Sequence, residues 1–181
     1  MVESAYIGLG SNLGDRLAYL QRAVTALAET SGLTGVLASG VYETAPYGVT
    51  DQPWFLNAVV RADSRLAPEA LLEHLQRLEA QAHRQRDRHW GPRTLDLDLL
   101  LFGSRCLTSP ALTVPHPHLT ARSFVLVPLC DLDPELIHPV TGRTVAEHRH
   151  ALGPDPTTRP YLVGGSPAIL STPPSGSQTH A

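Results

Sequence analysis

The sequence predicts an α+β fold in which helices pack against a mainly antiparallel sheet. Apolar stretches with strand character alternate with two amphipathic helical stretches, in the order strand, helix, strand, strand, helix, strand. The 181 residues, 42% of them hydrophobic, are enough for one domain with a sizeable core. Element order, length and hydrophobic content therefore favour a single α+β sandwich.

The chain begins with a short apolar strand, Ala5–Leu9, followed by a turn and a helix from about Asp15 to Thr30. The turn GLGSNLG resembles a phosphate-binding loop, but it lacks the GxGxxG order and the lysine of a nucleotide loop, so we interpret it as structural. The helix is predicted because apolar residues recur at helical spacing, at Leu17, Leu20, Val24 and Leu27.

Two further strands are predicted at Val36–Glu43 and Phe55–Arg61, on either side of an irregular connection that contains proline and glycine. Such a loop can contribute a ligand pocket. A second helix begins near Pro68, because proline is favoured in the first helical turn. Its buried stripe consists of four leucines, Leu71, Leu72, Leu75 and Leu78.

The next strand, within WGPRTLDLDLLLF, has two carboxylates one residue apart among aliphatic side chains. Side chains alternate between the faces of a strand, so Asp96 and Asp98 share one face. The other face is predicted to hold Leu95, Leu97, Leu99 and Leu101. Two anions about 6.5 to 7 Å apart at their Cα atoms repel unless a cation lies between them, and Mg²⁺ is a suitable one. A strand with one solvated polar face explains the alternation equally well.

A loop rich in arginine precedes this strand. Its arginines are Arg84, Arg86, Arg88 and Arg93, and Trp90, Gly91 and Pro92 interrupt any helix. The planar guanidinium donors match phosphate oxygens, so the loop is suited to a triphosphate. A charged surface with Asp87 as internal partner is the alternative. Arginines and paired aspartates together indicate phosphoryl transfer, in which positioning and charge neutralisation dominate catalysis.

The remaining elements are less regular. A tight turn at Gly103 is predicted to form a hairpin with Arg105–Thr108, and two helical segments follow at Ala121–Leu129 and Val145–Leu152. From Gly153 onward the chain is rich in Pro, Gly, Ser and Thr without helical or alternating period, which predicts a largely disordered tail.

Composition excludes several classes of function. The net charge of -3 argues against a broad nucleic-acid surface. Cys106 and Cys130 have no metal-ligand spacing, so we expect a reduced intracellular pair. The pairs HPH and HRH are too few for a zinc site. Since no leader or membrane segment is evident, we expect a soluble cytoplasmic protein that does not associate with membranes.

Four motifs in order identify a resemblance to a known family. They are GLGSNLGDR (Gly8 to Arg16), YETAPYG with DQPWFLNAVV (Tyr42 to Val60), WGPRTLDLDLLLF (Trp90 to Phe102) and LTVPHPHLTARSFVLVPL (Leu112 to Leu129). The chain resembles 6-hydroxymethyl-7,8-dihydropterin pyrophosphokinase over roughly residues 4 to 150. The resemblance implies a ferredoxin-like sandwich at 1–152, with the tail at 153–181.

The resemblance also implies a reaction and its ligands. The family transfers the terminal pyrophosphoryl group of ATP to the hydroxymethyl oxygen of the dihydropterin and releases AMP, with two Mg²⁺ ions, in folate biosynthesis. The expected partners are therefore small molecules rather than nucleic acid, and we expect a monomer.

Site residues follow from the same match. It assigns catalysis to Arg84, Arg93, Asp96 and Asp98, with both aspartates as Mg²⁺ ligands. It assigns the nucleotide site to Gln76, Glu79, Arg86, Arg88, Trp90, Leu99, Leu112, Thr113, His116 and Arg122. It assigns the pterin site to Thr44, Ala45, Pro46, Tyr47, Phe55, Asn57 and Phe124. Without the match, His116 would be interpreted as a turn residue, and Phe55 and Phe124 as core residues.

The sequence departs from the family pattern at three positions. His89 separates Arg88 from the following tryptophan, which leaves the register of the loop arginines open. Ala45 stands where proline is frequent, and Pro117 where an aromatic residue can stack near the nucleotide. An RNA-binding module with the same element order is the alternative function, although Asp96 and Asp98 would repel a phosphate backbone without metal.

Overall fold

The computed structural model describes residues 1–46, 50–82 and 93–173. Within these ranges the predicted α+β fold is confirmed, since six strands form one sheet with antiparallel pairings and four α-helices pack on it. The strands of this sheet are β1 (Glu3–Ser11), β2 (Leu33–Ala38), β3 (Tyr42–Thr44), β4 (Phe55–Ser64), β5 (Asp96–Phe102) and β8 (Thr158–Pro160). Their order is β5-β1-β4-β3-β8, and β2 also pairs with β4.

Two helices cover one face of the sheet. They are α1 (Arg16–Ala28) and α2 (Pro68–Gln81), and their buried leucines belong to the same core as the sheet residues Ile7, Leu97 and Leu99. The Asp15 carboxylate caps α1 by accepting a hydrogen bond from the backbone N–H of Ala18 at 3.1 Å, which satisfies one of the free donors of the first turn. Pro68 occupies the start of α2, as predicted.

The opposite face of the sheet has a second, smaller core. It forms where α3 (Ser123–Leu132) and α4 (Val145–Leu152) pack with Tyr6, Val59 and Leu100, and a 3₁₀ turn at Leu119–Ala121 precedes α3. A capping box between Thr144 and Glu147 begins α4. In the described ranges, no helix combines the length and apolar character needed to cross a bilayer.

A β-bulge in β5 changes which leucines face each core. Ile7 of β1 pairs with Leu99 while its neighbour Tyr6 pairs with Leu101, so Leu100 is an extra residue in β5. Leu99 therefore contacts the first core, and both Leu100 and Leu101 lie in the second. The prediction that Leu101 shares a face with Leu97 and Leu99 is wrong, because alternation is interrupted at the bulge.

Three other element predictions need correction. The strand predicted at Val36–Glu43 is two strands, β2 and β3, interrupted where the Ser39 hydroxyl accepts the backbone N–H of Val59 at 2.9 Å. The segment after Gly103 does not form a hairpin with β5. Instead β6 (Leu107–Thr108) pairs with β7 (Thr113–Val114). The helix predicted at Ala121–Leu129 is α3, displaced toward the C-terminus, whereas α4 matches its predicted bounds.

The prediction of disorder from Gly153 is wrong for residues 153–173. Strand β8 pairs with β3, and a small hairpin follows, formed by β9 (Leu162–Val163) and β10 (Ser166–Pro167). Ala168 and Leu170 are buried in the first core. Proline is compatible with this arrangement because β8 is an edge strand, where a missing N–H costs little. Residues 174–181 lie outside the described ranges.

Leu170→Ala tests whether the C-terminal segment contributes to the core. Leu170 is 4% exposed, so truncating its side chain is expected to lower the free energy of unfolding by about 2 to 4 kcal/mol, measured by urea denaturation. Leu162→Ala is the matched control, since Leu162 is 54% exposed and should change stability by less than about 0.5 kcal/mol. Equal stabilities of the two variants would contradict the observed packing.

Candidate active site

The carboxylates of β5 lie beside two glycines of β1. Asp96 pairs with Gly10 and Asp98 pairs with Gly8, and both aspartates are half-buried and alternate with the buried leucines Leu95, Leu97 and Leu99. The aspartates therefore share one face of the strand, as the alternation predicts. The same face of the sheet packs against the second core, but only through the residues of β5 after Leu99. Asp96 and Asp98 precede the bulge.

Gly10 lies between Asp96 on β5 and Asn57 on β4. A Cβ atom at Gly10 would lie 3.0 Å from the Asn57 side-chain oxygen, 3.7 Å from Cβ of Asp96 and 3.9 Å from Cδ1 of Phe55. Asn57 pairs directly with Gly10 across the sheet. The side chains of Asp96, Asn57 and Phe55 thus surround the position that a Gly10 side chain would occupy.

The amide of Asn57 is fixed by its neighbour on β3. Asn57 is 7% exposed, and its Nδ2 donates a hydrogen bond of 2.6 Å to the hydroxyl oxygen of Thr44, which is 2% exposed. That bond orients the Asn57 oxygen toward Gly10. Phe55 pairs with Thr44 and is half-buried on the same face. Strands β3 and β4 therefore present an oriented amide and a ring next to the carboxylates.

Arg93 connects the arginine-rich segment to the aspartates. Its guanidinium forms an ion pair with Asp96, and the side chains of both residues are less than one-fifth exposed. The adjacent Thr94 hydroxyl donates to the backbone oxygen of Ala82 at 2.6 Å, which ties the start of β5 to the end of α2. Like charges on Asp96 and Asp98 are thus partly compensated by a cation from the same segment.

Glu79 supports β5 from the opposite side. It is 3% exposed in α2, and its carboxylate accepts the backbone N–H of Leu97 at 2.8 Å. The bond fixes the strand between the two aspartates. Gln76 of the same helix is exposed, and Leu99 lies in the first core. Of these three residues predicted for the nucleotide site, Glu79 therefore bonds to β5, Leu99 belongs to β5 and faces the core, and Gln76 lies on the surface of α2.

His116 lies against β5 at the bulge. Its backbone N–H donates to the Leu100 oxygen at 2.8 Å, and its ring Nδ1 accepts the backbone N–H of His118 at 3.2 Å. Burial, with the nearby charges of Arg122 and His118, lowers the pKa of His116 to about 4. The imidazole is therefore neutral at pH 7, and its proton is on Nε2 because Nδ1 accepts.

The remaining predicted residues are distributed around these strands. Leu112 is buried and Thr113 is half-buried in the β6–β7 hairpin, and Arg122 lies with its guanidinium carbon 5.5 Å from the ring centroid of Phe124. Ala45 and Pro46 continue from β3. Five predicted residues lie outside the described residues: Tyr47, Arg84, Arg86, Arg88 and Trp90.

Sequence reasoning missed Asn12, in the turn interpreted as structural. Asn12 is 2% exposed, and its side-chain oxygen accepts the backbone N–H of Arg93 at 2.7 Å. Its Nδ2 donates to the Gln52 side chain and to the Pro53 oxygen, each at 3.1 Å. The side chain thus joins the segment before β5 to the segment before β4. Nothing in the local sequence distinguishes this role, because asparagine is common in any turn.

Asn12→Ala is expected to destabilise the protein by about 1 to 3 kcal/mol, because the Arg93 N–H and the Pro53 oxygen would lose the buried Asn12 side chain as their partner. Urea denaturation measures the change. Gln52→Ala, which removes one of the Asn12 partners but no backbone contact of Asn12, should cost less than Asn12→Ala. A stability of Asn12→Ala within 0.5 kcal/mol of wild type, taken as roughly the range of a neutral surface change, would contradict this role.

Comparison with solved structures supports the fold. The chain matches a Plasmodium falciparum HPPK-DHPS structure, variant A437G with SDX-DHP, at a TM-score of 0.70 and 16% identity, covering 93% of this chain and 51% of that chain. A triple mutant of the same protein with STZ-DHP matches at a TM-score of 0.71 and 15% identity, covering 93% and 48%. At these identities the likeness concerns the fold alone.

Comparison with protein sequences identifies the family. A protein from Methylorubrum extorquens named 2-amino-4-hydroxy-6-hydroxymethyldihydropteridine pyrophosphokinase is 45% identical over 150 residues, which cover 83% of this chain and 94% of the relative. A protein of the same name from Pseudomonas aeruginosa is 46% identical over 147 residues, covering 81% and 90%. The model of the family 7,8-dihydro-6-hydroxymethylpterin-pyrophosphokinase (HPPK) matches residues 6–134. The chain therefore belongs to the HPPK family.

Proposed function

We propose that this protein transfers pyrophosphate from ATP to 6-hydroxymethyl-7,8-dihydropterin in folate biosynthesis. The hydroxymethyl oxygen attacks the β phosphorus and loses its proton, the bond from that phosphorus to the AMP oxygen breaks, and the products are the pterin diphosphate and AMP. The observation that supports this reaction best is the juxtaposition at Gly10 of Asp96 with Asn57 and Phe55. Family membership favours the enzyme over the RNA-binding alternative.

Asp96 and Asp98 would hold magnesium with the help of the nucleotide. The described residues contain no group of three or more His, Cys, Asp or Glu side chains able to hold a metal, so two carboxylates are what β5 offers. This donor set fits Mg²⁺, which is usually held by one or two carboxylates together with substrate phosphates and water. Two bound Mg²⁺ ions would neutralise phosphate charge and acidify the attacking hydroxyl.

The cationic residues would orient the triphosphate. Arg93 is held at Asp96 by its ion pair, from where its guanidinium can bind a phosphate oxygen once Asp96 engages metal. Arg84 is proposed as a second phosphate ligand, and Arg86, Arg88 and Trp90 as residues that close over ATP. These four positions lie outside the described residues.

The rest of the nucleotide site would form along β5 and the β6–β7 hairpin. His116 offers a neutral Nε2–H donor, because its lowered pKa keeps the imidazole uncharged at pH 7. Arg122, whose positive charge contributes to the lowered pKa of His116, is proposed as a second contact to the nucleotide. The remaining proposed contributors shape or border this side: Gln76, Glu79, Leu99, Leu112 and Thr113.

The pterin would bind on β3 and β4. Asn57 can accept through the oxygen that faces Gly10, while its amide nitrogen is fixed by Thr44. An amide that both donates and accepts suits the pyrimidine edge of a pterin. Phe55 and Phe124 are half-buried on β4 and α3 and are proposed to stack on the ring. Backbone groups of Ala45, Pro46 and Tyr47 are proposed to complete recognition.

Removing either carboxylate charge of β5 should slow turnover strongly. Asp96→Asn and Asp98→Asn are each expected to slow AMP release by at least about a hundredfold, because each removes a charge directed at the phosphates. AMP formation with ATP, Mg²⁺ and the dihydropterin measures the effect. Asp63→Asn is the control, since Asp63 lies at the far end of β4 beside Arg61. Activity of either β5 variant within threefold of the control would argue against the assignment, as a single lost electrostatic contact normally costs about 10²-fold.

Gly10→Ala should weaken pterin binding selectively. The new methyl group would lie 3.0 Å from the Asn57 oxygen, so we expect the pterin Kd to rise about tenfold, a loss of about 1.4 kcal/mol. Gly8→Ala is the matched variant, because its methyl group would meet the flexible end of Leu100 at 3.4 Å and leave the Kd for pterin unchanged. Calorimetric titration compares them, and equal pterin affinities would refute the placement of the pterin beside Gly10.

A further inference from the structure

The C-terminal segment contacts the strand from which the proposed pterin site begins. In β8, Thr158 pairs with Thr44 and Arg159 pairs with Glu43, and the Ala45 N–H donates to the Thr157 oxygen at 3.3 Å. These contacts hold the backbone at the exit of β3. The segment was predicted from sequence to be disordered, so none of them was expected.

Glu43 links this segment to α1 through two arginines. Its Oε1 accepts from both terminal nitrogens of Arg16 at 3.1 Å, and its Oε2 accepts from Arg159 at 2.9 Å. Burial raises the pKa of Glu43, but the hydrogen bonds from Arg159 and Arg16 outweigh burial and hold this pKa below its ordinary value. The carboxylate is therefore ionised at pH 7 and bridges two cations. The Arg16 guanidinium carbon also lies 5.7 Å from the ring centroid of Tyr161.

The same two arginines contact Trp54, the residue before Phe55. Arg16 donates to the Trp54 backbone oxygen at 2.7 Å. The Arg159 guanidinium carbon lies 4.9 Å from the Trp54 ring centroid, within the range of a cation–π contact. The Trp54 side chain is therefore held on the surface by a residue that is distant in sequence. Both ends of the β3–β4 connection, at Ala45 and at Trp54, thus contact the C-terminal segment.

We propose that Arg159 is a positioning residue for the pterin side of the active site. Through Glu43 and the Trp54 ring it fixes the entry of β4, and with it the orientation of Phe55. Arg159 touches neither the aspartates nor Arg93 among its described contacts, so its influence should be confined to the pterin. This inference rests on the proposed function, and it adds a residue outside the matched family region of 6–134.

Arg159→Ala in the full-length protein is the central test. We expect the KM and the calorimetric Kd for the dihydropterin to rise about five-fold, while the KM for ATP and the urea midpoint stay within error of wild type. Trp54→Ala should raise the pterin Kd by less, because Arg159→Ala also removes the bond to Glu43. The double variant should be no worse than Arg159→Ala, because both changes break the contact between Arg159 and Trp54. Arg159→Lys, which retains charge but not the planar fork, should recover part of the affinity.

Arg105→Ala is the matched control, because Arg105 makes the same kinds of contact at a distant place. It pairs with Glu3, and its guanidinium carbon lies 5.6 Å from the Phe102 ring centroid. It should leave both KM values unchanged. An unchanged pterin Kd in Arg159→Ala, or a parallel loss of ATP affinity and stability, would overturn the inference. Absence of AMP release from the wild-type protein would instead refute the proposed function, so the two failures are distinguishable.

Discussion

The central constraint on this structure is that two carboxylates of equal charge lie on one face of a single strand. Asp96 and Asp98 alternate with buried leucines, so neither can rotate to the other face without exposing the core. Their repulsion requires nearby cations, and Arg93 provides one from the segment just before the strand. The neighbouring strand leaves the space beside Asp96 open. On the neighbouring strand β1, Gly10 pairs with Asp96, and a side chain at Gly10 would fill the space between Asp96 and Asn57.

The β-bulge at Leu100 explains how one strand can serve both a polar site and an apolar core. Before the bulge, the face with Asp96 and Asp98 is polar. After it, Leu100 and Leu101 both contact the core beneath α3. The extra residue thus separates the two functions along β5, and the His116 backbone bonds to Leu100 at this boundary. A regular strand would have directed Leu101 into the first core and left the second core smaller.

The sequence was sufficient for the fold class, for the main helices and strands, and for the shared face of the aspartates, because each depends on a local period of apolar residues. It was insufficient wherever a contact is distant in the chain. Alternation could not reveal the bulge, since four consecutive apolar residues at the end of β5 fit either register. Composition concealed the order of the C-terminal segment, where Ala168 and Leu170 are buried among Pro, Gly and Ser. The role of Asn12 could not be predicted because its partners are contributed by two other loops.

Polar contacts connect the segments that lead into β4, which carries Asn57 and Phe55, and into β5, which carries the aspartates. Asn12 joins the segments that lead into β4 and β5, so a displacement of one would strain its bonds to the other. Glu43 of β3 accepts hydrogen bonds from Arg16 and Arg159, and both arginines also contact Trp54 at the other end of the β3–β4 connection. Residues on either side of this connection are therefore bonded to parts of the chain that the central sheet holds rigidly. Pairing with β1 fixes both the aspartate strand and Asn57, whereas Phe55 lies just beyond the residues of β4 that pair with β1, where these polar links act.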